Sequence, residues 1–238
     1  MTTPTLILFD LDGTLVDTAN AGRQAIDRAF AEIYGIESVT SSAGTVRFAG
    51  MTDSGIFRAL ASAAGVSPSR FTATTEALYE TYYRELRTEM ARPEPRRRIM
   101  PGIEPLLREL ARRDDARVGL ITGNLERGAR IKLEPFGLNG YFPGGGFGSD
   151  HSDRREVARV AWRRICRLTG IEFPRERVVV VGDTEKDVDC ARANGFISVA
   201  VDAGWVPRET LLRAEPDVLF EDLNDLPAVL RAFGLDRR

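Results

Sequence analysis

The chain has 238 residues, 43% apolar and 29% charged, with a formal net charge of −2. That length exceeds the usual domain of about 100–150 residues and can bury one large core or a core with a smaller unit. Charges of both signs run along it, which excludes the basic field that recruits nucleic acid or an anionic membrane, and no apolar stretch reaches the roughly 20 residues of a membrane span.

Cys166 and Cys190 have neither metal-type spacing nor a disulfide framework, and no basic leader precedes the first apolar run. The expectation is a soluble cytoplasmic protein with a small-molecule partner. Lys132 and Lys186 are the only lysines among 33 basic residues.

In chain order, "TLILF" (5–9) reads as a strand buried on both faces, followed at once by "DLDGT". From Asp17 to Arg98 no strand pattern occurs, only helical patterns near 20–34, 53–64 and 72–90, closed by "RPEPRRRIMPG". About 80 residues are too many for a loop in a compact domain, so this interval is expected to be a helical insertion. "IEPLLRELARR" (103–113) is amphipathic, "RVGLI" (117–121) is a second strand ending in "TGN", and 155–168 places Val157, Val160, Ala161, Ile165 and Leu168 on one helical face. "RVVVV" (177–181) ends in "GDTEKD", and "ISVAV" (197–201) and "DVLF" (217–220) complete the strands. This alternation predicts an α/β fold with a doubly wound, Rossmann-like parallel sheet, in which ligands bind beyond the carboxyl ends of the strands.

Those ends carry the chemistry. Asp10 and Asp12, two apart in an extended segment, can point to one side, and their repulsion calls for a cation. Asp183 and Asp187 add carboxylates, and an oxygen-only set suits a hard ion such as Mg²⁺. Gly13, Gly123 and Gly182 admit close approach of a ligand, Thr14 and Thr122 offer hydroxyl donors, and strand-to-helix turns offer backbone N–H groups. Metal, anion cradle and spare carboxylates point to phosphoryl transfer.

"DLDGT", Thr122 in "LITGN" and "VVGDTEKD" resemble three of the four motifs of the haloacid dehalogenase superfamily, in that family's order, over most of the chain. The resemblance implies a catalytic core of residues 1–16 and 98–238 and a helical cap of residues 17–97. It implies a Mg²⁺-dependent phosphatase of small phosphorylated metabolites, and "AGMTDSGIFRAL" (49–60) is similar to the cap segment of phosphoglycolate phosphatases. Asp10 would be the nucleophile and Asp12 the acid and base. Asp10, the Asp12 carbonyl and Asp183 would hold Mg²⁺, supported by Asp187. Thr122, with Gly13, Gly123 and Asn124, would hold the substrate.

The family's third-motif lysine is missing from its usual place. Arg154 is the preferred replacement there, with Arg155 beside it, whereas Lys132 falls early in the chain and Lys186 lies inside the fourth motif. A sugar-phosphate mutase and a non-catalytic phospholigand sensor are the alternatives. A dehalogenase has no use for Asp12 and Asp183, and a Schiff-base phosphonatase needs a lysine that 17–97 lacks. His151 reads as a surface residue, and Phe71, Tyr79, Tyr82 and Tyr83 as packing within the helical insertion.

Overall fold

A computed structural model of the chain describes residues 3–42, 48 and 50–235. Its centre is a six-stranded parallel sheet of β1 (Thr5–Phe9), β4 (Ala116–Ile121), β5 (Gly145–Gly146), β6 (Val178–Gly182), β7 (Ile197–Val201) and β8 (Val218–Phe220), in the order β5-β4-β1-β6-β7-β8. The long strands need no polar alternation because both faces are covered. Ile7 and Phe9 face a cluster containing Leu106, Leu107, Val229 and Phe233. Leu6 and Leu8 face Val157, Ala161, Ile165 and Ala191.

The first face is covered by α5 (Ile103–Ala111), α6 (Glu126–Leu133) and α10 (Leu226–Ala232), the second by α7 (Arg154–Thr169) and α8 (Glu185–Asn194). A short α9 (Arg208–Arg213) packs Leu211 beside Val188 and Ala200. Phe9 pairs with Leu120 on one side and Val181 on the other, so the three central strands end level.

β5 escapes the sequence pattern because it consists of two glycines. A Cβ at Gly145 would lie 2.3 Å from the Leu120 carbonyl oxygen, and one at Gly146 would lie 2.1 Å from that of Val157. The edge strand is wedged where no side chain fits.

Between β1 and β4 the chain leaves the sheet through β2 (Val16–Asp17) and returns through β3 (Arg98–Ile99), which pair antiparallel with Val16 opposite Ile99. The interval holds α1 (Ala21–Tyr34), α2 (Val39–Ser42), α3 (Asp53–Ala63) and α4 (Pro68–Ala91). Thr52 caps α3 by accepting from Gly55 N, and Ser67 caps α4 by accepting from Arg70 N. Phe30, Phe57, Leu60, Leu78, Tyr82 and Leu86 form a second apolar cluster that also takes Leu125 and Ile131 from the α6 region. Of the aromatic residues expected to pack here, Tyr82 is buried and makes an edge contact with Phe57 at 5.2 Å, while Phe71, Tyr79 and Tyr83 pack around the cluster half-buried. Of the segment 49–60, Ala49 lies outside the described residues.

Candidate active site

Asp10 follows β1, Thr122 follows β4 and Asp183 follows β6, so the level strand ends bring three distant segments together. Arg154, buried at the start of α7, has Nη2 2.8 Å from Asp10 Oδ1 and 2.5 Å from Asp187 Oδ1. Arg155 instead faces solvent and pairs with Asp189 at 2.9 Å.

Asp10, Asp183 and Asp187 are buried and can place one carboxylate oxygen each within 4.8 Å of the others. One guanidinium among three carboxylates leaves negative charge uncompensated. Burial pushes the Asp10 carboxyl above the ordinary carboxylate range, with Arg154 pulling it down and Asp187 adding to the rise. Asp183 is raised by burial and then by Asp10 and Asp187. Both of its oxygens are buried without a hydrogen-bond partner. Such oxygens fit a hard cation, which would supply the missing ligand and the missing charge.

Asp187 is differently employed. Its Oδ2 accepts from Thr184 N at 3.1 Å and Thr184 Oγ1 at 2.7 Å, which ties down the start of α8, while Oδ1 accepts from Arg154. Gly13 also serves the cluster rather than lining the cavity. It has φ +84°, and a Cβ there would lie 2.3 Å from Asp183 Oδ2.

Asp12 is the more open aspartate. Its Oδ2 accepts from Lys132 Nζ at 2.6 Å and from Asn124 Nδ2 at 2.8 Å, and its Oδ1 from the Thr18 hydroxyl at 3.3 Å. Thr122 Oγ1 accepts from Asn124 N and Nδ2 at 3.2 and 2.8 Å, so its own hydrogen is left to donate toward a ligand. Asn124 Oδ1 and Arg154 Nε are buried and unpartnered.

Lys132 comes early in the chain but not in space. α6 starts just past the strand end, and helical side chains lean toward the N-terminus, so a lysine in its second turn reaches back to the site. The signal available in the sequence was a rare lysine in an arginine-rich chain. Lys186 packs over Gly50 instead, where a Cβ would meet its Cγ at 2.2 Å. His151 is exposed, its Nδ1 accepting from Asp153 N at 2.9 Å.

A cavity of about 320 Å³ lies over these groups, roofed by the helical interval. The roof is seated on the turn after β4. Asp53 N donates to the Gly123 carbonyl at 2.6 Å, Leu125 N donates to Asp53 Oδ2 at 2.9 Å, and Ser54 Oγ donates to the Gly148 carbonyl at 2.9 Å. A Cβ at Gly123 would lie 2.2 Å from the Met51 carbonyl oxygen, so this glycine lets the helical interval dock. Asp53 went unnoticed in the sequence because an acidic residue after Thr52 reads as an ordinary first helical turn. Burial pushes its carboxyl up to about 6, with Lys132 pulling the other way. Ile26, Ile56 and Tyr82 make part of the wall apolar, and Trp205, 49% exposed, stands at the rim.

The profile of the haloacid dehalogenase-like hydrolase family matches residues 7–201. Phosphoglycolate phosphatase of Synechococcus elongatus is 29% identical over 225 residues, spanning 92% of this chain and 94% of that protein. Among solved structures, a haloacid dehalogenase-like family hydrolase from Streptococcus pneumoniae superposes with a TM-score of 0.66 at 21% identity, covering 97% of this chain and all of its own. A protein assigned as a β-phosphoglucomutase from Thermotoga maritima gives 0.63 at 22% identity, covering 95% and 98%. These two share the fold.

Proposed function

The chain belongs to the haloacid dehalogenase-like hydrolases and is a phosphatase, and on that premise we propose that it hydrolyses phosphomonoesters of small metabolites, phosphoglycolate-like esters among them, with Mg²⁺ as cofactor. One observation carries this reading. The Asp10 carboxylate, aimed by Arg154, lies beside an Asp183 whose two oxygens have no partner, on the floor of a cavity of about 320 Å³.

Asp10 is the nucleophile. Its carboxylate oxygen attacks phosphorus, the ester P–O bond breaks, and an aspartyl-phosphate forms on Asp10. Asp12 donates its proton to the leaving alkoxide and then, as a carboxylate, takes a proton from the water that attacks the same phosphorus. That second attack releases inorganic phosphate and restores both aspartates. Lys132, Asn124 and Thr18 fix the Asp12 carboxylate for both steps.

The Thr122 hydroxyl and the N–H groups around Gly123 and Asn124 hold the phosphoryl oxygens. Arg154 stands where the family's third-motif lysine would act, keeping Asp10 in place against Asp187. Asp10, the Asp12 carbonyl and Asp183, with Asp187 behind them, would hold Mg²⁺, which when bound would supply the positive charge that lets an anionic nucleophile meet an anionic ester. Residues 17–97 act as a cap over the core of 1–16 and 98–238, keeping bulk water from the site while leaving room for the one water that hydrolyses the intermediate.

The test is phosphate release from a panel of monoesters with Mg²⁺ and with EDTA, comparing wild type with Asp10→Asn. Release should need both Mg²⁺ and Asp10. Turnover that survives Asp10→Asn removes Asp10 as nucleophile. Reaction that needs a bisphosphate activator and ends in an isomer replaces hydrolysis with a mutase.

A further inference from the structure

Among the described residues, three cations line the cavity: Arg154, Lys132 and Arg23. The first two are already neutralised, Arg154 by Asp10 and Asp187 and Lys132 by Asp12. Arg23, in the first turn of α1, has no carboxylate within 4.0 Å among the described residues. Its guanidinium lies over the Phe48 ring, 4.2 Å from the centroid. Stacking occupies one face of a guanidinium and leaves its N–H edge free, and that edge grips carboxylate or phosphate bidentately.

Ala19 and Asn20, just before α1, are both left-handed at φ 52° and 66°, a conformation that asparagine tolerates and alanine avoids. Asn20 also faces the cavity.

We propose that Arg23 is a specificity-determining residue that receives a second oxyanion, a carboxylate or phosphate, on the part of the phosphomonoester that is not transferred. The inference rests on the phosphatase reading above. The preferred substrates are then esters with two anionic ends, one over Asp10 and one at α1, and a single substrate touches both the sheet and the helical roof.

The experiment is steady-state hydrolysis by wild type, Arg23→Gln and Arg23→Lys with saturating Mg²⁺ on matched esters. Phosphoglycolate against ethyl phosphate tests a carboxylate, and a sugar bisphosphate against the corresponding monophosphate tests a phosphate. Wild type should favour the dianionic-end member of at least one pair about 10- to 100-fold in kcat/KM, the range of a charge-assisted contact. Arg23→Gln should collapse that ratio toward one, mainly through KM, and Arg23→Lys should keep part of it.

Equal losses on both members of each pair, or a ratio that Arg23→Gln does not move, overturns the proposal and leaves the phosphatase standing. Wild type that hydrolyses every ester without preference does the same. Wild type that hydrolyses none overturns the phosphomonoester reading as well.

Discussion

The floor of the cavity and its roof solve opposite problems. On the floor, Asp10, Asp183, Asp187 and Arg154 are buried together at the ends of neighbouring strands, and negative charge is in excess. In the roof, Arg23 keeps a positive charge without a carboxylate partner among the described residues, against a wall partly built of Phe48, Ile26 and Ile56. The floor is arranged for a cation and a phosphoryl group whatever the alcohol attached. The roof meets what differs between one ester and another. On the proposed reading chemistry and selection sit on different segments, joined among other contacts by Asp53 and Ser54 at the turns carrying Gly123 and Gly148 and by Leu125 and Ile131 in the helical cluster.

That division can be broken by substitution. The largest effect is expected on the floor: Asp183→Asn should lower kcat at least about a hundredfold on every ester, the loss of several kcal/mol of charge stabilisation. In a thermal melt Mg²⁺ should raise the Tm of wild type and not that of the variant. An Asp183→Asn enzyme that loses activity on one ester class alone would put selection on the floor.

Lys132→Met leaves Asp12 with two of its three donors, and kcat should fall about 10- to 100-fold on all esters alike. Lys132→Arg should recover little, since a planar fork replaces a compact ammonium in a buried slot.

Gly123→Ala puts a methyl against the Met51 carbonyl and should unseat the roof at an overpacking cost of about 1–3 kcal/mol. KM should rise several-fold with a smaller change in kcat. An unchanged KM would mean that the roof does not depend on this turn.

The smallest expected effect is on stability. The Asp53 carboxyl is raised from 3.8 to about 6 by burial, so ionising it costs the folded state more than the unfolded one. Its contribution is fully present below about pH 4 and is lost as pH rises through about 6. Asp53→Asn, which can still accept from Leu125 N, should remove that decline, seen as a gap between the two Tm curves that changes over this window and is flat above it.

Much of the floor is legible from the chain alone. Continuous apolar runs mark β1, β4, β6, β7 and β8 because strands covered on both faces carry little else, and the polar breaks after β1, β4 and β6 mark places at the site. Asp10, Asp12, Thr122 and Asp183 can be found this way. The roof is not legible in the same sense. Arg23 and Asp53 lie on ordinary amphipathic helices, where nothing local distinguishes them from solvated charges, and Lys132, on the core helix α6, stands out only as one of two lysines. Their placement depends on where α1, α3 and α6 point after packing. The short pieces are missed for a related reason: β5 is two glycines, and β2 and β3 are two residues each, too brief to form a pattern.

The β2–β3 ribbon has one more consequence. Val16 and Ile99 face each other across a ladder only about 5 Å wide. Once that pair forms, the long excursion between them is a closed loop, and the rest of the sheet is joined as if by a hairpin. Closure entropy grows only logarithmically with loop length, so lengthening or replacing the excursion adds little to the cost of pairing β1 with β4. The roof can therefore diversify by insertion and exchange, while the sheet beneath it keeps the same folding topology.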